Sequence, residues 1–171
     1  QALYSALSGG QGNAATATGG PLDPALTDGR SANEVMDAVV EAVRPVDGTQ
    51  DAEASRTSIK DALSDVLNQF PDADLLNLQP EQRELAVERF VAGDVFRRID
   101  LDIGRTIREK APNAAAGLGR LKEVREYVRE TVSASFRRLR ETGQRLAAGR
   151  ITQIVQSAIR ETFQVFEGYV E

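Results

Sequence analysis

Two aspartates separated by one residue, Asp100 and Asp102, have the spacing that most resembles a metal-binding loop. In an EF-hand calcium loop, oxygen ligands occupy positions one, three and five, and a bidentate glutamate completes the shell at position twelve. Here the fifth position is Gly104 and the twelfth is Ala111, and neither side chain carries an oxygen. We therefore interpret the aspartates as a solvated pair on a helix or turn and expect no metal site.

The glycine-rich phrases lack the spacing of a nucleotide-binding loop. A phosphate loop continues into Gly-Lys-Ser/Thr, and a dinucleotide fingerprint needs three glycines between a strand and a helix. Residues 9–12 have no such continuation, and Gly117 and Gly119 have neither a third glycine nor a preceding strand pattern. We therefore expect no nucleotide cofactor.

The sequence contains no histidine and no cysteine. Imidazole and thiolate metal sites, cysteine nucleophiles, Ser-His-Asp triads and histidine general bases are therefore excluded. Carboxylate chemistry remains open, but Asp61, Glu84 and Glu88 lie on predicted helices with no sequence sign of a shared pocket. A carboxylate hydrolase would need an acid with a shifted pKa in such a pocket. We expect instead a binding protein with no catalytic residues and no cofactor.

The C-terminal part of the chain is the more basic part. Residues 1–119 carry 11 Lys/Arg and 19 Asp/Glu, whereas residues 120–171 carry 10 and 7. Guanidinium groups on the predicted helix 120–140 could bind phosphates, which makes nucleic-acid binding one hypothesis. The arginines that would make these contacts are Arg125, Arg129, Arg137 and Arg138. Glutamates three or four positions away favour an exposed, ion-paired helix, and the aromatic residues of a single-strand binder are missing. We favour the exposed helix and keep nucleic-acid binding as the alternative.

Apolar residues recur at spacings of three and four along most of the chain, which predicts amphipathic helices. Ser31 and Glu34 form a capping-box pattern, and Pro80 suits the first turn of another helix because its missing N–H costs nothing there. The last helix, from about Arg150 to Tyr169, has the clearest apolar stripe. No segment alternates with period two between hairpin turns. We predict an all-α fold, a bundle of about five amphipathic helices.

Glycines indicate where this helical pattern is interrupted. Residues 8–30 contain six glycines and little apolar surface, which predicts a flexible arm. The predicted organisation is therefore an arm over residues 1–30 and a helical bundle domain over residues 31–171. Gly93 and Gly104 mark predicted weak points in the helix after Pro80, and residues 110–119 are predicted to form a connection.

No apolar run approaches the ~20 residues required to cross a bilayer. Residues 2–7 are too short for a signal-peptide core, and no basic residue precedes them. Together with the absence of cysteine, this predicts a cytoplasmic protein that does not bind membranes. Because the first residue is Gln1 rather than Met, we expect the native start to lie upstream.

Four short phrases occur in order along residues 29–140: Gly29–Val35, Gly48–Arg56, Leu78–Gln82 and Asp102–Gly104. In order and spacing they resemble the QatB family, the small accessory proteins of the Qat anti-phage defence system. The closing helix resembles the family only in length and amphipathicity. The Gly- and Ser-rich beginning usual in the family is not visible, and residues 8–20 have less arginine than the family leads us to expect.

The resemblance implies a non-catalytic component encoded with an ATPase, a TatD-like nuclease and a QueC-like enzyme, QatC. QatC resembles enzymes of deazaguanine chemistry, and a glycine-rich arm is a natural substrate for a protein-modifying relative of them. We hypothesise that the helical body binds QatC and presents the N-terminal arm for modification. The ATPase and the nuclease are further possible partners.

The phrase beginning at Asp102 is our candidate partner-binding surface, because a glycine beside polar residues at a helix break allows close approach. The alternative is that Gly104 only ends a helix. The candidate residues are Asp102, Gly104, Arg105 and Thr106.

Overall fold

The computed structural model of the chain describes residues 32–43, 50–143 and 148–169. Within these residues no strand forms, and five helices are 12 or more residues long, which confirms the predicted all-α fold. None of the described helices is both long and apolar enough to pass through a bilayer. The elements are α1 (Ala32–Val43), α2 (Gln50–Gln69), α3 (Pro80–Ile99), a π-helical segment (Asp100–Gly104), α4 (Arg105–Glu109), α5 (Ala114–Glu141), α6 (Ala148–Phe166) and a 3₁₀ turn (Glu167–Tyr169).

The predicted arm over residues 1–30 lies outside the described residues, as does the predicted cap Ser31. The domain boundary between residues 30 and 31 therefore stays a prediction. The last helix is found where the periodicity predicts it, and α3 begins at Pro80 as expected. At that start the Gln79 backbone N–H donates to Oε1 of Gln82 over 2.8 Å, which caps the first turn.

The chain divides between Phe90 and Val91, within α3, into two compact units. Residues 1–90 carry 6 Lys/Arg against 15 Asp/Glu, and residues 91–171 carry 15 against 11. We call the first the acidic unit and the second the basic unit. The unit boundary thus separates charge more sharply than the division at residue 120 that the sequence suggested.

In the acidic unit α1 packs antiparallel against α2. Lys60 Nζ lies 2.8 Å from Asp37 Oδ1, and Arg56 Nη1 lies 2.7 Å from Glu41 Oε2, so numbers rise on one helix as they fall on the other. The interior of the acidic unit is an apolar cluster of buried residues. It includes Val35, Met36, Val39, Val40, Ile59, Leu63, Val66, Leu75, Leu78 and Ala86.

In the basic unit α5 packs against α6, and both helices bury residues at intervals of three or four. Thr162 is fully buried within this apolar set, where its hydroxyl donates to the Ala158 carbonyl over 2.7 Å. The sequence pattern placed Ser135 and Leu139 on the apolar face of this helix, but both are only half-buried. Phe136 is buried instead. The buried set is Leu121, Val124, Val128, Val132 and Phe136 on α5 with Ile154, Ala158, Thr162 and Phe166 on α6.

The 3₁₀ turn after α6 returns to the N-terminal half of α5. The centres of the Tyr169 and Phe166 rings are 5.3 Å apart. The Arg120 guanidinium carbon lies over the Tyr169 ring, 4.9 Å from its centre. The Tyr169 hydroxyl donates to Glu123 Oε2. This hydrogen bond raises the pKa of Tyr169 above its usual value; burial and the negative charge of Glu123 act in the same direction, and Arg120 opposes them.

Candidate functional site

The candidate partner-binding phrase forms a π-helical turn between α3 and α4. Val91, Val95 and Ile99 are buried at four-residue intervals, but the next buried residue, Gly104, comes five residues later. Residues five apart on an α-helix differ in direction by about 140°, so a continuous α-helix would not bury both Ile99 and Gly104 on one face. The π-helical turn accommodates the extra residue. Such turns are rare and occur frequently at functional sites.

Gly104 leaves room for the side chain of Asp100. A Cβ atom at residue 104 would overlap Asp100 Oδ1 and crowd its Cγ. The same oxygen accepts a hydrogen bond of 2.6 Å from Arg108 Nη2. The missing side chain of Gly104 therefore allows Asp100 to fold over the turn, and Arg108 holds it there. Gly104 is itself buried, so its role is to allow the conformation of the turn and it is not part of the exposed surface.

The outer side of the turn combines an apolar residue with charged groups. Leu101, at 77% exposure, is the most exposed large hydrophobic residue of the described chain. Asp102 beside it is exposed, and its side chain makes no ion pair or hydrogen bond within the described residues. Arg105 Nε donates to Glu109 Oε1 over 2.7 Å, and this bond, with the charge of Glu109, raises the pKa of Arg105. We call Leu101, Asp102, Arg105 and Glu109 the π-helix surface.

The structure thus divides the four predicted residues of this site. Asp102 and Arg105 lie on the π-helix surface, whereas Gly104 is buried and Thr106 is half-buried. Sequence reasoning missed Leu101, because a single leucine within a helical pattern is ordinarily assigned to the core. The sequence itself contains no signal of the extra residue, because Ile99, Ile103 and Ile107 recur every four residues, as in a continuous α-helix.

The four arginines proposed for nucleic-acid contact do not share one face of α5. At about 100° per residue, Arg125 and Arg129 differ in direction by about 40°, but Arg138 is about 180° from Arg129 and about 100° from Arg137. The Arg125 guanidinium lies 4.6 Å from the centre of the Phe96 ring, a cation–π contact. Arg137 and Arg138 are exposed near the C-terminal end of the helix. The helix therefore does not present all four arginines on a single face.

The carboxylates considered for catalysis have different surroundings. Asp61 is exposed and Glu84 is half-buried, while Glu88 is 5% exposed. Glu88 Oε1 lies 3.8 Å from Arg89 Nη1, and Arg89 Nε lies 3.5 Å from Asp65 Oδ2. Glu88 is therefore a buried carboxylate with a cationic neighbour. Among the described residues no group of three or more carboxylates could hold a metal ion.

Comparison with known proteins shows the family to which the chain belongs. The family described as Qat anti-phage system associated protein QatB matches residues 1–166. The chain belongs to the QatB family. The match extends beyond residues 29–140, where the quoted phrases lie, and includes α6 to its last residue, Phe166. No curated protein and no solved structure matches the chain. As a member of the QatB family, the protein is a component of an anti-phage defence system.

Proposed function

We propose that this QatB-family protein is a non-catalytic component that binds the QueC-like enzyme QatC and presents its N-terminal arm for modification. The observation that carries the proposal is the family match, which spans the arm as well as both helical units. A protein that serves as both ligand and substrate needs a folded part for recognition and an accessible segment for chemistry. The described helices supply the first, and the composition of residues 1–30 predicts the second.

The chemistry of the side chains supports a non-catalytic role. A chain without histidine or cysteine has no imidazole or thiolate to act as a nucleophile or general base near neutral pH. Glu88, the buried carboxylate of the described residues, has a cationic neighbour in Arg89. The chemistry in this proposal therefore belongs to QatC, and this chain contributes binding and an acceptor segment.

The π-helix surface supports a role in protein binding. It combines a protruding leucine with a carboxylate that makes no ion pair within the described residues, on a turn that the Asp100–Arg108 hydrogen bond spans. Apolar anchors on rigid elements favour binding because little conformational entropy remains to be lost. Nucleic-acid binding is less favoured, because the four candidate arginines of α5 point in different directions.

The test is co-expression of the full-length native protein with tagged QatC, followed by affinity capture and intact-mass measurement. We expect co-purification and a mass increase of the size of a nucleobase. Capture without added mass would contradict the modification while supporting a scaffold role. Failure to capture the protein would contradict binding to QatC. The same experiment with the ATPase or the nuclease tagged tests these as further partners.

Two matched variants separate binding from modification. A protein that begins at residue 31 should still be captured, without the added mass, because its helical units remain. A tagged QatC with its active site disabled should capture the intact protein in unmodified form. Loss of capture on deleting the arm would instead place the binding determinant in the arm and contradict recognition by the helical body.

A further inference from the structure

The sequence of the π-helical turn has the period of an ordinary α-helix, although the structure does not. Ile99, Ile103 and Ile107 recur every four residues, the spacing that places apolar side chains on one face of a continuous α-helix. In the structure Ile99 and Ile107 are 1% and 0% exposed, but Ile103 between them is only half-buried. Gly104, which has no side chain, takes the buried position instead. The sequence therefore favours one helical register, and the structure adopts another.

The two registers differ by one residue from the turn onwards. With the extra residue held in the π-helical turn, Gly104 and Ile107 occupy the positions four and seven residues after Ile99 on an α-helix, about 40° and about 20° from its direction. Without the π-helical turn, Ile103 and Thr106 take these two positions. Each register thus buries one isoleucine there, together with a glycine in the π-helical register or a threonine in the α-helical register.

A threonine is compatible with such a buried position. Its hydroxyl can donate to the carbonyl four residues earlier in the same helix, which leaves no polar group without a partner. Thr162 does so in the same unit: it is fully buried, and its hydroxyl donates to the Ala158 carbonyl over 2.7 Å. Two packings of one sequence that bury such similar side chains are the basis of a conformational switch.

The contacts of Asp100 select the π-helical register. Its carboxylate lies where a Cβ atom of residue 104 would be, and it accepts a hydrogen bond of 2.6 Å from Arg108 Nη2. On a continuous α-helix residues 100 and 108 are about 12 Å apart along the axis and about 80° apart in direction, which separates these two side chains. The side chains of the pair are 32% and 49% exposed, so dissolved ions reach it and weaken it.

We propose that residues 100–109 form a switch between a π-helical and an α-helical register, with the Asp100–Arg108 ion pair as its latch. When the pair breaks, α3 continues as an α-helix through α4. Because α4 has only five residues and residues 110–113 are not helical, the one-residue shift is absorbed before α5 begins. The outer residues of α4 then turn by about 100° relative to α3, so the π-helix surface exists in the π-helical register alone.

The experiment is relaxation-dispersion NMR on the full-length protein with ¹³C-labelled isoleucine methyl groups, because helix register shifts occur in microseconds to milliseconds. Ile103 and Ile107 exchange surroundings between the two registers. Ile154, which is buried on α6, provides an internal control. We expect exchange at Ile103 and Ile107, with a minor population of about 0.1–10%, and none at Ile154.

Two matched substitutions test the latch. Arg108→Gln should raise the ratio of the α-helical to the π-helical register by up to about fivefold, the change that loss of an exposed ion pair supports. Sodium chloride at about 1 M should shift the wild type in the same direction, since it screens the pair. Arg98→Gln removes the ion pair of Arg98 with Asp94, earlier on α3, and should leave the ratio unchanged.

Deletion of Leu101 tests the register itself, because it removes the extra residue. Ile99, Gly104 and Ile107 then lie on one face of a continuous α-helix, so this variant should fold and show no exchange at either isoleucine.

Three results would overturn the switch. The first is flat dispersion profiles with a single set of isoleucine signals in both the wild type and Arg108→Gln. The second is exchange that Arg108→Gln leaves unchanged or that persists after deletion of Leu101. The third is a deletion variant that does not fold, since the turn would then hold no removable residue.

Discussion

Asp100 Oδ1 accepts a hydrogen bond from Arg108 Nη2 over 2.6 Å, across the π-helical turn that separates α3 from α4. An ion pair whose side chains are 32% and 49% exposed contributes about 1 kcal/mol or less to the free energy of unfolding. The buried side chains of Ile99 and Ile107 therefore contribute most of the stability of this region. The ion pair adds a smaller restraint, because it joins the two ends of the turn from which Leu101 projects.

Replacing Gly104 with alanine should destabilise the protein, because the new Cβ would overlap the Asp100 carboxylate and force it away from Arg108. We expect a loss of about 1–2 kcal/mol in the free energy of unfolding, measured by urea denaturation. Gly119→Ala is the control, since a Cβ there meets no atom within 4 Å and alanine is the better helix former, worth up to about 1 kcal/mol.

A double variant tests the cause of the Gly104→Ala effect. Removing the carboxylate as well, in Asp100→Ala with Gly104→Ala, should recover part of the lost stability, because the overlapping atoms are gone. If Gly104→Ala is as stable as Gly119→Ala, the Asp100 side chain moves aside without cost, and the turn does not depend on this glycine.

Local signals in the sequence predicted the helices well. Pro80 begins α3 because proline suits a first helical turn, and the apolar stripe of residues 151–166 gives α6 its bounds to within two or three residues. These features depend on neighbours within one or two turns, which a sequence pattern contains. The start of α5 is a partial exception. The helix begins at Ala114, inside the predicted connection, because Asn113 Oδ1 accepts from the Ala116 N–H.

Features that depend on packing between helices were less predictable. Gly93 and Gly104 were both predicted weak points, but α3 continues through Gly93, and the regular helix changes only in the π-helical segment Asp100–Gly104. Gly104 differs from Gly93 because the Asp100 side chain occupies the space where a Cβ atom would lie. This contact cannot be predicted from composition alone. For the same reason the sequence pointed to Gly104 as part of a surface, whereas the structure places Leu101 there.

The acidic unit should depend on its apolar cluster far more than on its surface ion pairs. Leu63 is fully buried in that cluster, so Leu63→Ala should lower the free energy of unfolding by about 2–5 kcal/mol. Lys60→Ala removes the ion pair with Asp37, whose side chains are 48% and 63% exposed, and should cost about 1 kcal/mol or less. Urea denaturation of both variants gives the comparison. Equal losses would mean that the ion pair stabilises the acidic unit as much as the buried leucine does, which would contradict the prediction.

Tyr169 should titrate above its ordinary pKa of 10.0, because its hydroxyl donates to Glu123. The folded state favours the protonated tyrosine, so the stability from this contact is fully present below pH 10 and is lost as pH rises through the raised pKa. The measurement is the ultraviolet absorbance of tyrosinate as a function of pH, with Tyr169→Phe subtracted to remove the other two tyrosines.

Two further variants assign the cause of the Tyr169 shift. Glu123→Ala should return the midpoint towards its usual value, since the hydrogen bond is the largest cause, whereas Arg120→Gln should raise it further because Arg120 opposes the shift. A wild-type midpoint at or below 10.0 would show that the 3₁₀ turn is not held against α5 in solution.

The arginines of α5 should not make the protein a specific nucleic-acid binder. The basic unit has an excess of four positive charges, so weak attraction at low salt is expected, but Arg129 and Arg138 point about 180° apart. Fluorescence anisotropy with labelled single-stranded and duplex oligonucleotides provides the measurement. We expect Arg137→Glu with Arg138→Glu to alter affinity by less than about twofold at physiological salt, because non-specific attraction is largely screened there. If these residues instead contact phosphates, the affinity of the double variant for nucleic acid should fall strongly. The slope of log K against log salt should also become shallower, by about 0.9 for each lost contact with duplex DNA. That result would favour nucleic-acid binding over QatC docking as the role of the basic unit, and Arg125→Glu with Arg129→Glu would then show whether the other two arginines belong to the same contact.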